Sequence, residues 1–226
     1  MEVPEIIKNK FVEEVKEKFS KPLPGFEAQL KMAPAIRRQQ MEIPDDARVA
    51  GVMILLFEID KKWNTILIRR AEDGHTHSGQ ISFPGGKNEK FDADIIATAC
   101  RECEEEIGIK RNDIEVLGTL TPIYIPPSNF VVTATVGFVA NAQNLKPDEK
   151  EVQEIIQVPL DVLFHPRLKK EVEVKPNYKS PAYHLDETII VWGATAMIIS
   201  ELEHILGLPN SPKEGNKKRK RIYTKR

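Results

Sequence analysis

The sequence predicts an α+β protein. Three stretches have helical character: residues 5–19, 95–107 and 193–206. Between them lie short apolar runs separated by turn residues, the pattern of β-strands. The first helix follows from Ile7, Phe11, Val15 and Phe19, spaced four apart among lysines and glutamates. Pro22 and Pro24 end it, and the polar stretch to about Pro44 is expected to wrap the surface. "RVAGVMILLFEI" (48–59) reads as a buried strand, "DKKWNT" (60–65) as a turn and "ILIRR" (66–70) as the hairpin partner. A loop with Gly74, Gly79, Gly85, Gly86 and Pro84 follows. Asp94 suits the N-cap of the helix at 95–107 and Gly108 its stop. Strands are expected at 114–124, 130–140 and 154–157. Two more, at 171–175 and 188–192, flank a predicted loop containing Pro176 and Pro181. The segment 193–206, "GATAMIISELEHIL", is the last helix, and no internal repeat is visible.

Composition narrows the class. With 226 residues, 41% hydrophobic and 30% charged, the chain suits one globular domain with decorations. The net charge of -1 selects no anionic partner. Two cysteines are too few for a disulfide framework and point to a reducing compartment. The first residues are charged throughout, unlike a secretory signal, and no apolar run nears the roughly 18 residues of a membrane span. The expectation is a cytoplasmic protein with a helical extension at 1–45, a main domain at 46–208 and a basic tail at 209–226. Residues 213–226 carry eight lysines and arginines against one glutamate. With only Tyr223 as an interleaved aromatic, the stretch reads as a solvated, disordered terminus rather than a nucleic-acid arm.

Chemistry concentrates in "RECEEEIGI" (101–109). At about 100° per residue, Glu102, Glu105 and Glu106 share one helix face, while Glu104 points away to solvent. Like charges within one turn destabilise a helix by roughly 0.2–0.5 kcal/mol per pair, so a cation is expected to meet them. A purely solvated face is the alternative. Three converging carboxylates form a hard-oxygen site suited to Mg²⁺ or Mn²⁺. Arg101 sits one turn before Glu105 and can pair with it. The preceding Gly85-Gly86 lets a ligand approach the backbone, which suits a phosphate-containing substrate. Cys100 and Cys103 also spell C-x-x-C, but one pair inside a helix is a poor zinc or redox site and reads as core.

This arrangement resembles the Nudix box, Gly-x5-Glu-x7-Arg-Glu-U-x-Glu-Glu-x-Gly-U, where U is aliphatic. The second half matches from Arg101 to Ile109, with Cys103 at an aliphatic position. Ala93 stands where the first glutamate is expected, and the stretch from Gly86 to Arg101 is one residue longer than the pattern. Glu89, Asp92 and Asp94 lie nearby, and the sequence does not choose among them. The resemblance implies a Nudix fold, a mixed β-sheet sandwiched between helices, and hydrolysis of a diphosphate linked to another group. "ILIRRAEDGHTHSGQISFPGGK" is similar to the extended motif of coenzyme A pyrophosphatases, at Arg70, His77, Gly79 to Gly86. Three later blocks, 121–138 with Ala134 in place of a usual proline, 151–160 and 191–196, resemble the same branch.

The resemblance implies that coenzyme A is cut to adenosine 3',5'-bisphosphate and 4'-phosphopantetheine. Glu102, Glu105 and Glu106 are the expected metal ligands, with Glu105 and Arg101 acting in catalysis. A further carboxylate is expected from outside the helix as base or ligand, Glu151 first and Glu154 second. Arg70, His77, Gln80, Gly85 and Gly86 are the substrate-side candidates. His77 and Gln80 also read as loop-shaping residues. ADP-ribose or a dinucleotide such as NADH is the runner-up substrate. A non-catalytic nucleotide sensor is a third reading, set against the retained box glutamates. The partner is a small molecule, not a membrane or nucleic acid, and a homodimer is an allowed assembly.

Overall fold

The computed structural model describes residues 5–37, 42–72, 74, 77–207 and 224–225. Helix α1 (Glu5–Phe19) begins the chain and α2 (Gly25–Leu30) follows. Strands β1 (Arg48–Ile59) and β2 (Lys62–Arg70) form a hairpin. Short strands β3 (Ile81–Ser82) and β4 (Gly85–Lys87) lead into α3 (Ile95–Ile107). Next come β5 (Ile114–Thr119), β6 (Ile123–Ile125), β7 (Phe130–Val139) and β8 (Val152–Pro159), then the short α4 (Leu160–Leu163). A second sheet holds β9 (Lys169–Lys175), β10 (Tyr178–His184) and β11 (Ile190–Trp192), and α5 (Gly193–Leu206) closes the main body.

The main sheet has the order β12-β8-β2-β1-β7-β5, where β12 is Thr224–Lys225. It is mixed, because β1 and β7 run parallel while β1 and β2 run antiparallel. Strand β1 is buried on both faces, and its side chains alternate between two cores. Ile54 and Leu56 join the core beneath α1, α2 and α5. Met53, Leu55 and Phe57 join the core that includes Ala99, Cys103 and Ile107 of α3. Each such aliphatic side chain stabilises the fold by roughly 1.5–3 kcal/mol. Gly51 lets α3 lie close to the sheet, since a Cβ there would stand 2.7 Å from the Ile95 carbonyl oxygen.

Several boundaries match the sequence pattern, among them β1, α3 and α5. Others need correction. The stretch before Pro44 is not merely a surface wrap: it forms α2 and buries Ala28, Gln29, Met32 and Ala33. Strand β2 starts at Lys62, inside the expected turn, because Asp60 and Lys61 alone make the bend with positive φ. The expected strand at 114–124 is two strands, β5 and β6. The expected loop around Pro181 is the central strand β10. Pro181 is tolerated there because β11 pairs only Ala182 to His184, leaving the proline nitrogen beyond its reach.

Helix α1 buries Val12 and Val15, and its Phe11 ring stacks on Trp63 with centroids 3.8 Å apart. The Ile7 side chain falls outside the described part of the helix. The basic tail also lies outside the described residues, apart from Thr224 and Lys225, which pair with Gln157 and Ile156 of β8. No helix among the described residues is long and apolar enough to cross a membrane.

Candidate metal and diphosphate site

Helix α3 is fixed at both ends. The Ala97 N–H donates to Asp94 Oδ1 at 2.7 Å, and Gly108, with φ of 79°, ends the helix. Its inner face lies against β1 and β4. Gly85 and Gly86 are required by this approach. A Cβ on Gly85 would stand 2.4 Å from the Gly51 carbonyl oxygen, and one on Gly86 would stand 2.5 Å from Glu102 Oε1.

Glu102, Glu106 and Glu151 each offer a carboxylate oxygen, and these oxygens all lie within 4.8 Å of one another. Glu106 is 1% exposed. Its Oε2 accepts the Gly85 N–H at 2.7 Å. Its Oε1 is buried without a hydrogen-bond partner, with Arg70 Nη1 3.6 Å away. Burial pushes the Glu106 carboxyl up to about 8, with Glu102 and Glu151 adding to the rise and Gly85 and Arg70 opposing it. Burial also raises Glu102, against the pull of Arg101. Three acids facing one another, one with an orphaned oxygen, are a site short of positive charge. The donor set fits a hard divalent cation, Mg²⁺ or Mn²⁺.

Glu105 is outside this group. Its side chain is 58% exposed, and its Oε2 accepts from Arg101 Nη1 at 2.7 Å. Burial on the helix is centred on Glu106, so Glu105 lies at the rim. Glu104 does not simply face solvent: its Oε2 accepts the Arg111 N–H at 3.2 Å. Glu154 is drawn away to Arg69, at 3.2 Å.

Arg101 binds no open space. Nε and Nη2 meet the two oxygens of Asp92, each at 2.9 Å. Nη1 donates to Glu102 Oε1 at 2.8 Å as well as to Glu105, and Nη2 also reaches the Lys87 carbonyl at 3.1 Å. Its five N–H groups therefore have five acceptors, which makes Arg101 a positioning residue. Asp92 is one of the three acids that lie near the expected glutamate position. Counted forward from Gly86 it stands where the box glutamate belongs, and the extra residue falls after it. Counting forward from Gly86 finds Asp92, whereas counting back from Arg101 falls on Ala93.

His77 and Gln80 turn toward each other, with His77 Nδ1 3.0 Å from Gln80 Oε1. His77 has φ of 75°, and the Gln80 carbonyl accepts the Arg70 N–H at 3.0 Å. These contacts shape the loop between β2 and β3. Cys100 and Cys103 are free and buried, and burial raises both thiols.

The fold and the carboxylate cluster beside the Gly85-Gly86 start of β4 define a class of diphosphate-cleaving proteins. The NUDIX domain model matches residues 47–179, and the chain belongs to that family, the Nudix pyrophosphohydrolases. "Uncharacterized Nudix hydrolase NudL" of Pectobacterium atrosepticum is 34% identical over 176 residues, covering 77% of this chain and 88% of the relative. "Peroxisomal coenzyme A diphosphatase NUDT7" of Mus musculus is 31% identical over 137 residues, covering 61% of this chain and 58% of that protein. Among solved structures, the NUDIX domain of Shewanella oneidensis NrtR, complexed with ADP ribose, aligns with a TM-score of 0.50. Its identity is 16%, with 76% of this chain and 96% of that one covered, a likeness of fold.

Proposed function

We propose that this Nudix hydrolase cleaves the diphosphate of coenzyme A to adenosine 3',5'-bisphosphate and 4'-phosphopantetheine. The observation that carries the chemistry is the Glu102, Glu106 and Glu151 cluster beside the Gly85-Gly86 start of β4. The coenzyme reading draws on the segment from Ile66 to Lys87 and on the likeness to the mouse coenzyme A diphosphatase. ADP-ribose and NADH are the competing substrates within the same chemistry.

Glu102, Glu106 and Glu151 would hold Mg²⁺ or Mn²⁺, which supplies positive charge against the diphosphate and makes water easier to deprotonate. The chain's own residues do the rest. Arg101, locked by Asp92, holds the Glu102 carboxylate in place. The bare Gly85-Gly86 backbone lets β1 and the Glu102 carboxylate pack against it, and the Gly85 N–H fixes Glu106. Arg70 adds a cation beside Glu106. Glu151 is exposed and reaches the cluster from a separate segment, so it is placed to take the proton from an attacking water. Glu105 stands by at the rim through Arg101.

Mass spectrometry of products from coenzyme A, NADH and ADP-ribose, each with Mg²⁺ or Mn²⁺, tests the proposal. Highest kcat/KM on coenzyme A, with the two named products, is expected. Far better cleavage of ADP-ribose would overturn the coenzyme assignment.

A further inference from the structure

Phe91 stands in the turn between β4 and α3, one residue before Asp92. It falls among the five unspecified positions of the box pattern, so the resemblance gives it no role. Its exposure is 75%, and among the described residues it is the one exposed aromatic side chain. The turn that carries it is tied down on both sides. The Asn88 N–H donates to the Val49 carbonyl at 2.9 Å, and the Asn88 side-chain amide donates to Thr98 Oγ1 at 2.8 Å. The Glu89 N–H donates to Asp92 Oδ2, and the Asp92 N–H donates back to the Glu89 carbonyl, each at 3.0 Å. Asp92 is itself locked to Arg101. The ring is thus held outward by a fixed turn and is not buried by it. One face is occupied: the guanidinium carbon of Arg101 lies over the ring, 5.5 Å from its centroid, within cation–π range. The exposure therefore belongs to the edge and the far face.

We infer that Phe91 is a stacking platform for the nucleobase of the substrate, and so a specificity-determining residue at the rim of the carboxylate cluster. The inference rests on the proposed reading of an adenine-bearing diphosphate and gives its base a seat. The Arg101 that backs the ring also donates from Nη1 to Glu102 Oε1 at 2.8 Å. The path from the ring centre through the guanidinium to that carboxylate oxygen is at most about 10 Å. A ribose and its 5'-phosphate bridge a span of that order, from a base on Phe91 to a diphosphate at the cluster. The rim is open here, because Glu105, which shares Arg101 Nη1, has a side chain that is 58% exposed. Arg101 spends all five N–H groups on acceptors, so it leaves no donor there for a phosphate. What it offers outward is its flat face, covered by the ring. A π-face suits a base, and a ring already fixed in place gives up little freedom on binding.

The test measures, by calorimetry with Mg²⁺ on the full chain, binding of adenosine 3',5'-bisphosphate and of 4'-phosphopantetheine. Phe91→Ala is expected to weaken the adenosine product about tenfold, within the range of base–aromatic stacking, and to leave the other product and the melting temperature unchanged. Phe91→Leu keeps an apolar cover over Arg101 but has no π-face, and it should bind as weakly as Phe91→Ala. Phe91→Trp should bind as well as the wild-type chain. Unchanged adenosine binding in Phe91→Ala, equal loss of both products, or wild-type binding by Phe91→Leu overturns the platform. Should the wild-type chain cleave ADP-ribose and leave coenzyme A intact, the coenzyme reading fails alone. Phe91 is then judged on AMP against ribose 5-phosphate: a loss confined to AMP upholds the platform, and an unchanged AMP affinity overturns it.

Discussion

Asp92 and Arg101 meet in a two-point ion pair, Nε to Oδ1 and Nη2 to Oδ2, both at 2.9 Å. The pair is nearly buried, and it sets the position of the arginine that in turn holds Glu102 and Glu105. Arg101 keeps the Asp92 carboxyl well below the usual carboxylate range, and Asp92 holds the guanidinium above its own. Removing one member leaves the other charge uncompensated, which costs about 3–5 kcal/mol in buried settings. Asp92→Asn should therefore lower the melting temperature markedly and reduce kcat more than it raises KM. Thermal melts and steady-state kinetics check both, and a stable, fully active Asp92→Asn protein would remove Asp92 from its positioning role.

Three glutamates of the helix should separate in activity. Glu106→Gln, which neutralises the buried ligand candidate, is expected to abolish most hydrolysis while the fold persists. Glu105→Gln should cost less, since its carboxylate acts through Arg101, and Glu104→Gln should be nearly silent. Rates at saturating Mg²⁺ rank the three. Equal losses at Glu104 and Glu106 would mean that charge alone, and not the Glu102, Glu106 and Glu151 arrangement, matters.

Gly86 makes a steric prediction. Its would-be Cβ meets three atoms of the Glu102 carboxylate group at 2.5, 2.6 and 2.7 Å. Gly86→Ala should push that carboxylate aside, so the Mg²⁺ concentration giving half-maximal rate should rise several-fold. Far-ultraviolet circular dichroism should be unchanged. A normal Mg²⁺ dependence would show that Glu102 tolerates displacement.

Stability without metal should depend on pH through Glu106. The folded carboxyl titrates near 8, well above its ordinary value of 4.5. Folding thus takes up a proton between those values, and stability falls as pH rises through that window. The loss is on the order of a few kcal/mol. Melts in a chelating buffer should be lower at pH 8.5 than at pH 5.5, Mg²⁺ should restore the difference, and Glu106→Gln should flatten the profile. A chelated wild-type protein that melts no lower at pH 8.5 would contradict the burial of that charge.

Much of this was legible in the sequence because it is local. The cap at Asp94, the stop at Gly108 and the apolar run of β1 are short-range signals, and all three elements appear where they were expected. The candidate site was legible in part for the same reason: angular spacing groups Glu102 and Glu106. Spacing cannot say which side of that stripe a neighbouring strand covers, and so it could not separate Glu105 from them. The closeness of Glu151 depends on the register of β8 against β2, a long-range fact. Strand β10 was hidden because proline is a local warning, while its tolerance depends on how far a partner strand extends. The burial of α2 was hidden because Gln29 reads as surface until Glu201, far along the chain, is known to face it.

That contact between Gln29 and Glu201 joins two regions that both lie outside residues 47–179. Glu102, Glu106 and Glu151 all lie inside. The chain thus carries its acid cluster in the family-matched stretch, while the Gln29–Glu201 link that packs α2 against α5 is set by the stretches on either side of it.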